Sequence, residues 1–137
     1  MAAAQIPSRA HCCKSDPLNG ALGHFLEDCR AVGSRVTCNP APVDTDEDWL
    51  IRVSGEVSNL LAMAGFTQEG QLGDYTGNIE GGFQSWRKDT VNLIVTSDVG
   101  FFDRFVTATL LAARFNLLLK EDRIALFQAV LYGRHAL

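Results

Sequence analysis

A long apolar stripe near the C-terminus is the feature that most constrains the fold of this chain. From Phe101 to Leu117, apolar residues recur every three or four positions, which is the period of one helix face. Ser97 and Asp98 precede the stripe and are residue types that cap helix N-termini. A second helical pattern, KEDRIALFQAVLYG, ends at Gly133, a typical helix stop. The sequence therefore predicts two C-terminal helices that need a surface on which to pack.

Segments with strand character supply that surface. Residues rich in β-branched and aromatic side chains predict strands at DWLIRV, at 83–87 and at 91–96, with a reversal between the last two. A brief strand, CRAV, is predicted just before Gly33. This order of elements predicts an α+β fold, in which helices pack on a small mixed β-sheet.

Two further helices and a loop complete the predicted structure. Apolar residues at helical spacing predict a short helix from Leu18 to Cys29, although two glycines within it disfavour a helix. The segment SGEVSNLLAMAGF predicts a helix that begins at Ser54, with Met63 among the residues of its buried side. Between residues 67 and 82, the density of Gly, Asn, Gln and Asp predicts a long turn or an irregular β segment.

Length and composition indicate one globular domain. The chain has 137 residues, of which 47% are hydrophobic, and this is sufficient for a well-formed core. Residues 1–17 lack sustained periodicity and predict a flexible N-terminal arm, which leaves residues 18–137 as a single domain. No segment has the roughly 18 to 20 consecutive apolar residues of a membrane span, and no secretory signal is recognisable. We therefore expect a cytoplasmic protein without a membrane partner.

The cysteines and histidines do not have the spacing of a zinc site. Structural zinc sites usually use two cysteines separated by two to four residues. Here His11, Cys12 and Cys13 are adjacent, while Cys29 and Cys38 are distant from them. Adjacent cysteines point their side chains apart, so we expect reduced, partly buried thiols instead of zinc ligands.

Three aspartates stand at alternate positions where the chain enters a predicted strand: Asp44, Asp46 and Asp48. Strand residues two apart point to the same face, so Asp46 and Asp48 can reach one cation together. Their carboxylates suit Mg²⁺ or Mn²⁺, ions that also bind substrate phosphates. The preceding Gly33 and Ser34 can hold phosphate oxygens through backbone N–H groups and a hydroxyl. A solvated acidic loop is the alternative interpretation.

The sequence VGSRV followed by DTDEDWLIRV resembles the signature of the nucleotidyltransferase superfamily, which has the DNA polymerase β-like fold. It is similar in particular to the minimal nucleotidyltransferases, and the C-terminal helices resemble those of small phage-encoded nucleotidyltransferase-like proteins. The resemblance implies phosphate contacts from Gly33 and Ser34, with Asp46 and Asp48 as catalytic metal ligands for Mg²⁺ or Mn²⁺. It also implies transfer of a nucleotidyl group from a nucleoside triphosphate to a hydroxyl of an RNA or a protein.

Basic residues and a third metal ligand would complete such a site. Arg35 and, at the predicted hairpin, Arg87 and Lys88 are candidates to neutralise the charge of the triphosphate, although an exposed side chain without this role is the favoured interpretation of Lys88. Members of the family commonly place a third carboxylate on a later strand, where this chain has Asn92, whose amide oxygen can coordinate a cation but cannot act as a base. Asp98 is the other candidate, although it also fits the N-cap of the long helix. The missing acid favours an alternative function, a binding protein that sequesters a nucleotide or inhibits a partner protein.

The long helix and the predicted strand at DWLIRV also carry predictions about packing. Apolar residues on several sides of the helix, such as Leu111, Phe115 and Leu118, exceed what one sheet face can cover, which predicts a homodimer. Trp49 is predicted to face away from the neighbouring Asp48, into the core, because strand residues alternate between faces.

Overall fold

The computed structural model describes Leu18 and residues 20–43, 46–69 and 83–133. The predicted N-terminal arm and most of the loop predicted between residues 67 and 82 lie outside these ranges. The strands are β1 Leu26–Val32, β2 Glu47–Val53, β3 Thr67–Glu69, β4 Gln84–Lys88 and β5 Val91–Thr96. The helices are α1 Ser34–Thr37, α2 Ser58–Met63, α3 Val99–Phe115 and α4 Lys120–Tyr132.

The five strands form one mixed sheet in the order β1-β2-β5-β4-β3. Strands β2 and β5 are parallel, and the other neighbouring pairs are antiparallel. The apolar runs Trp49 to Ile51 and Leu93 to Val95 are buried on both faces of the sheet, as expected for inner strands covered by helices. The predicted α+β fold with a small mixed sheet is confirmed.

Each face of the sheet has its own apolar core. One core contains Trp49 and Ile51 and is covered by α2 and by the turns that precede β1. The other contains Leu50 and is covered by α3 and α4, whose phenylalanines fill most of it. Because alternate strand residues point to opposite faces, Trp49 faces away from Asp48, as predicted.

The two predicted C-terminal helices are present, but the first ends at Phe115, before Leu117 and Leu118, which were predicted to lie on it. The Asp98 carboxylate accepts hydrogen bonds from the backbone N–H groups of Gly100 and Phe101, at 2.9 and 3.2 Å, and so caps α3. The left-handed residues Asn116 and Gly133 follow the last residues of α3 and α4. Within the described ranges, no helix combines the length and apolar character needed to cross a bilayer.

The helix predicted from Leu18 to Cys29 is wrong. Gly20 and Gly23 take positive φ angles of 79° and 55°, which interrupt an α-helix. Helical geometry in this segment is limited to a short 3-10 turn at residues 23–25, and β1 begins at Leu26. The chain therefore enters the sheet earlier than its apolar spacing suggests.

A register shift in β1 explains why this strand resembles a helix in sequence. Its buried residues are Leu26, Cys29 and Val32, which are three positions apart. The shift between Leu26 and Asp28 places Leu26 in the same core as Cys29, despite their odd separation. Val32 then points to the opposite core. A strand with this irregularity has a period close to that of a helix.

The second helix starts later than predicted and buries fewer residues. It begins at Ser58 instead of Ser54, because the Glu56 carboxylate accepts hydrogen bonds from the backbone N–H and the hydroxyl of Ser58. Leu61 is fully buried, but Met63, which was predicted to be on the buried side, is 83% exposed. The sequence thus predicts that a helix lies in this segment, but it gives the wrong first residue and wrongly predicts that Met63 is buried.

The expectation of reduced thiols is wrong for Cys29, one of the two cysteines in the described ranges. Cys29 is disulfide-bonded, whereas Cys38 is a buried free cysteine. Disulfides are typical of oxidising compartments, so the cytoplasmic location expected from the sequence stays a prediction.

Candidate functional site

Sheet register brings the predicted site residues to one end of the sheet. Asp48 is the second residue of β2 and pairs with Val32, the last residue of β1. On its other side, Asp48 pairs with Asn92 of the parallel strand β5. Gly33 directly follows Val32. The topology therefore gathers the Gly-Ser pair, Asp48 and the position of the expected third acid around the start of β2.

Gly33 packs directly against the Asp48 side chain. Its φ of 80° and ψ of −174° belong to a region that only glycine adopts readily. A Cβ atom added at Gly33 would lie 2.1 Å from Asp48 Oδ2 and 2.8 Å from Asp48 Cβ. The position thus requires glycine twice, once for its backbone angles and once for the close approach of the carboxylate.

Asn92 holds the other oxygen of the same carboxylate. Its Nδ2 donates a hydrogen bond to Asp48 Oδ1 at 3.1 Å. Asn92 Oδ1 is buried and accepts no hydrogen bond from the part of the chain that the structure describes. An unsatisfied amide oxygen in a buried position is uncommon, and here it lies beside a carboxylate, where a cation could use it as a ligand.

The environment of Asp48 favours its protonated form. Burial is the largest influence and, together with the negative charge of Asp46, raises the pKa of Asp48 from 3.8 to about 6. The hydrogen bond from Asn92 and the positive charges of Arg87 and Arg35 act in the opposite direction on this pKa. Perturbed carboxylates of this kind are concentrated at functional sites, where charge is retained despite a loss of stability.

Asp46 lies just before β2 and is paired with an arginine. Arg87 Nη2 contacts Asp46 Oδ2 at 3.0 Å, and Arg87 Nε contacts Glu69 Oε2 at 3.1 Å. All three side chains are partly exposed. The hydrogen bond to Asp46 is the main reason that the pKa of Arg87 is raised. The Arg87 guanidinium therefore occupies one side of Asp46.

Glu69 is a residue of this network that the sequence does not reveal. It lies on β3, in a segment whose composition predicts a turn or an irregular β segment. Pairing of β3 with β4 aligns Thr67 with Arg87 and brings Glu69 within reach of the same guanidinium. Only this long-range pairing identifies Glu69, and no local pattern in the sequence could have done so.

Of the other predicted site residues, Arg35 lies near Asp48 and Asp98 does not. Arg35 is in the single turn of α1, close enough for its charge to influence the pKa of Asp48. Asp98 lies beyond the opposite end of β5 from Asn92 and is engaged as the cap of α3. The structure thus brings Arg35, but not Asp98, to the aspartate pair. Asp44 lies outside the described residues.

The oxygen donors at this end of the sheet fit a hard divalent cation. Mg²⁺ usually binds through one or two protein carboxylates together with waters and substrate phosphates. Asp46 and Asp48 supply two carboxylates, and the unsatisfied Oδ1 of Asn92 supplies an amide oxygen. The described part of the chain contains no group of three His, Cys, Asp or Glu side chains that could hold a metal ion. A cation here would therefore complete its ligand shell with oxygens of water or of a substrate.

Side chains from the C-terminal helices and the corner between them bond to Cys38 and Asn39, which follow the Gly-Ser pair and α1. Asn116 Oδ1 accepts a hydrogen bond from Asn39 N at 2.9 Å, and Asn116 Nδ2 donates to Asn39 O at 3.0 Å. Nearby, Arg123 Nη1 donates to Cys38 Sγ at 3.2 Å and to Leu117 O at 2.9 Å. These contacts join the segment after α1 to the corner between α3 and α4.

A cavity of about 230 Å³ lies at the other end of the parallel strands, near Val53 and Thr96. Its walls are mainly apolar or uncharged, and Glu56 is the one charged side chain among the described residues that line it. A single negative charge disfavours a polyanionic ligand. The cavity is separate from the site around Asp48 because it lies at the opposite end of β2 and β5. Its negative charge makes it unsuited to a nucleotide phosphate.

Comparisons of this chain with models of known protein families, with curated proteins and with solved structures find no match. The Gly-Ser and D-x-D segments and the geometry of the side chains around Asp48 therefore remain the features that bear on function.

Proposed function

We propose that this protein is a metal-dependent nucleotidyltransferase, which binds a nucleoside triphosphate with Mg²⁺ or Mn²⁺ and transfers its nucleotidyl group to a hydroxyl of an RNA or a protein. The observation that carries the proposal is the contact between Gly33 and Asp48. It places a glycine backbone suited to phosphate oxygens directly against a buried carboxylate suited to a cation. The resemblance to minimal nucleotidyltransferases involves the same two segments.

Each residue of the site has a distinct role in this proposal. The backbone of Gly33 and the hydroxyl of Ser34 bind phosphate oxygens, and the positive charge of Arg35 offsets the negative charge of the triphosphate. The carboxylates of Asp46 and Asp48 hold the cation. When bound, the cation would stabilise negative charge on the reacting phosphate and on the leaving pyrophosphate.

One feature favours a second function, in which the nucleotide is bound but not transferred. Asn92 is in register with Asp48 at the position where a third carboxylate is expected, and its amide cannot accept a proton from an attacking hydroxyl. A protein with this site would sequester a nucleotide or inhibit a partner protein. The two candidates share the binding step and differ in the transfer step.

Calorimetry tests the binding step. The intact protein is titrated with ATP, GTP, CTP and UTP, each with Mg²⁺ or Mn²⁺, alongside the double variant Asp46→Ala/Asp48→Ala. Binding of at least one nucleotide by the wild type and its loss in the variant would support the proposal. The variant Asp103→Ala/Asp122→Ala removes two exposed helix carboxylates and is expected to bind normally. Absence of binding under every combination would end the transferase function and the sequestration of a nucleotide, and would leave inhibition of a partner protein as the remaining candidate.

A labelling experiment separates the two candidates. Wild-type protein is incubated with labelled triphosphates and a cell lysate, and the RNA and protein fractions are then separated. Label that enters either fraction and disappears in Asp46→Ala/Asp48→Ala supports transfer and identifies the class of acceptor. Nucleotide binding in calorimetry without labelling of any acceptor would support the binding protein instead.

We extend the proposal to a homodimer formed through the corner between α3 and α4. Phe115, Leu118 and Leu119 are 64%, 54% and 61% exposed and follow one another closely at this corner. Exposed apolar clusters of this kind are typical of interaction surfaces. A second copy of the chain would bury them by symmetric contact.

A further inference from the structure

Arg87 contacts two acids through different parts of its guanidinium group. Nη2 is 3.0 Å from Asp46 Oδ2, and Nε is 3.1 Å from Glu69 Oε2. Glu69 is on the neighbouring strand β3, whereas Asp46 precedes β2, two strands away in the sheet. The guanidinium is thus held from one side by the sheet edge and from the other by the proposed cation site.

Arg87 also lies close to the other members of the site. It pairs with Asn92 across β4 and β5, and Asn92 in turn bonds to Asp48. The charge of Arg87 lowers the pKa of Asp48, which shows that the guanidinium acts on both aspartates. A phosphate group bound beside Asp48 would therefore lie near a guanidinium that is already in position.

We infer that Arg87 is a phosphate-binding residue that changes partners when nucleotide binds, an inference that rests on the proposed function. Without nucleotide, its Nη2 neutralises Asp46. With nucleotide and cation, Nη2 donates to a phosphate oxygen while Asp46 is released to the cation. Glu69 holds Nε in both states, so the guanidinium pivots without leaving the site.

The chemistry of the pair suits such an exchange. Arginine has five N–H donors in a rigid plane, so Nε can stay bonded to Glu69 while the remaining donors accept a new partner. The side chains of Arg87 and Asp46 are 32% and 46% exposed, and ion pairs this accessible contribute little to stability. Replacing the carboxylate by a phosphate oxygen therefore conserves a charge-assisted hydrogen bond at a small penalty.

The inference predicts opposite effects on two binding constants. In Arg87→Gln, Asp46 loses its competing cation, so the Kd for Mn²⁺ alone should fall by about threefold or more. The same variant loses a donor to phosphate, so the Kd for nucleotide with Mn²⁺ should rise by about tenfold. Both constants are measured by following the spectrum of free Mn²⁺ in electron paramagnetic resonance and by calorimetry. The nucleotide is the triphosphate that binds wild type most tightly.

Control variants separate this role from a structural one. Lys88→Gln makes the same change in charge one residue away, but Lys88 Nζ donates to Ala64 O on the opposite face of the sheet, so both constants should stay within twofold of wild type. Arg87→Lys keeps the charge without the planar fork and should show smaller changes in the same two directions. Its behaviour carries the test if Arg87→Gln does not fold.

The outcomes distinguish this inference from the proposed function. If the wild type binds Mn²⁺ and nucleotide, but both constants move in the same direction or neither moves in the Arg87 variants, the partner exchange is wrong and the proposed function stands. If the wild type binds neither ligand, the proposed function fails and the exchange fails with it. Opposite shifts in Arg87→Gln with an unchanged Lys88→Gln support the exchange.

Discussion

Asn92 donates its side-chain amide to Asp48 Oδ1 across the parallel β2–β5 pair, at a distance of 3.1 Å. The same carboxylate presents Oδ2 to the backbone of Gly33. Asp48 is thus enclosed between two neighbouring strands, by an amide on one side and a glycine on the other. Burial in this position raises the pKa of Asp48, although the hydrogen bond from Asn92 lowers it, and this balance provides the first predictions.

Asp48→Asn should stabilise the protein at alkaline pH and not at acid pH. The pKa of Asp48 is raised from 3.8 to about 6, so the folded state binds more protons than the unfolded state between these values. Stability therefore falls as pH rises through this window, by about 3 kcal/mol in total. The variant lacks this loss, because asparagine resembles the protonated acid and can still accept the hydrogen bond of Asn92.

Urea denaturation in the presence of a chelator, from pH 4 to pH 8, measures this effect. The free energies of unfolding of wild type and Asp48→Asn should be similar at pH 4 and should separate above pH 6, by up to about 3 kcal/mol. Parallel curves over the whole range would show that Asp48 titrates normally in the folded protein.

Gly33→Ala should destabilise the protein by about 2–4 kcal/mol, because the substitution combines backbone strain with a steric clash. The clash is with Asp48, and the strain comes from the φ of 80°. Gly20→Ala is a matched control, since Gly20 has a φ of 79° but no atom of the described residues within 4 Å of an added Cβ. Chemical denaturation of both variants should give a smaller loss for Gly20→Ala, and equal losses would exclude a contribution from the Asp48 contact.

Asn92→Asp should make the protein depend on a divalent cation. The substitution removes the donor to Asp48 and places a second carboxylate beside it, so without cation the free energy of unfolding at pH 8 should fall by about 2–3 kcal/mol. Mn²⁺ should then raise the melting temperature of the variant more than that of wild type, since the cation relieves this repulsion. If only the third acid is missing, the variant should also gain transfer activity in the labelling experiment.

Asn59→Asp provides the control for Asn92→Asp. It makes the same chemical change at an exposed position of α2, on the other face of the sheet, and its response to Mn²⁺ should equal that of wild type. An Asn92→Asp protein as stable as wild type in chelator, with no larger response to Mn²⁺, would contradict the assignment of Asn92 to the cation site.

Phe115→Asp should convert the proposed homodimer into a monomer. The substitution places a charge within the exposed cluster at the corner between α3 and α4, where it would be desolvated in a dimer interface. Sedimentation velocity at micromolar concentration measures the state of association. Val43→Asp is the control, since Val43 is 93% exposed outside this cluster. A wild-type protein that sediments as a monomer would refute the dimer.

The strongly patterned elements could be predicted from the sequence. The stripe from Phe101, the apolar run of β5 and the cap at Asp98 agree with their neighbours in sequence, so local preference and tertiary packing lead to the same structure. Only the second half of strand β1, from Cys29 to Val32, could be predicted, because the register shift before it produces a helix-like spacing that only pairing with β2 explains. The burial of Met63 was wrongly predicted for a similar reason, because the local sequence does not indicate which side of a short helix packs against the rest of the protein.

The candidate site was predictable only in part. The D-x-D spacing and the Gly-Ser pair identified the segments that meet around Asp48, because both lie at strand ends. The partners that set the chemistry of these acids come from elsewhere in the chain. Arg87 on β4 reaches Asp46 across the sheet, and the β3–β4 pairing brings Glu69 to Arg87; such contacts between residues distant in sequence leave no local pattern.

The bidentate link between Asn116 and Asn39 has a consequence for how this chain tolerates changes in length. Both backbone groups of Asn39 are fixed by a side chain that belongs to the α3–α4 corner. The contact between Asn39 and Asn116 therefore helps to fix the position of Gly33 relative to the C-terminal helices. This position does not depend on the number of residues between Val43 and Asp46. We therefore expect insertions just after Val43 to leave the glycine in place, so that the connection between the two halves of the site can be lengthened while their spacing in three dimensions is retained.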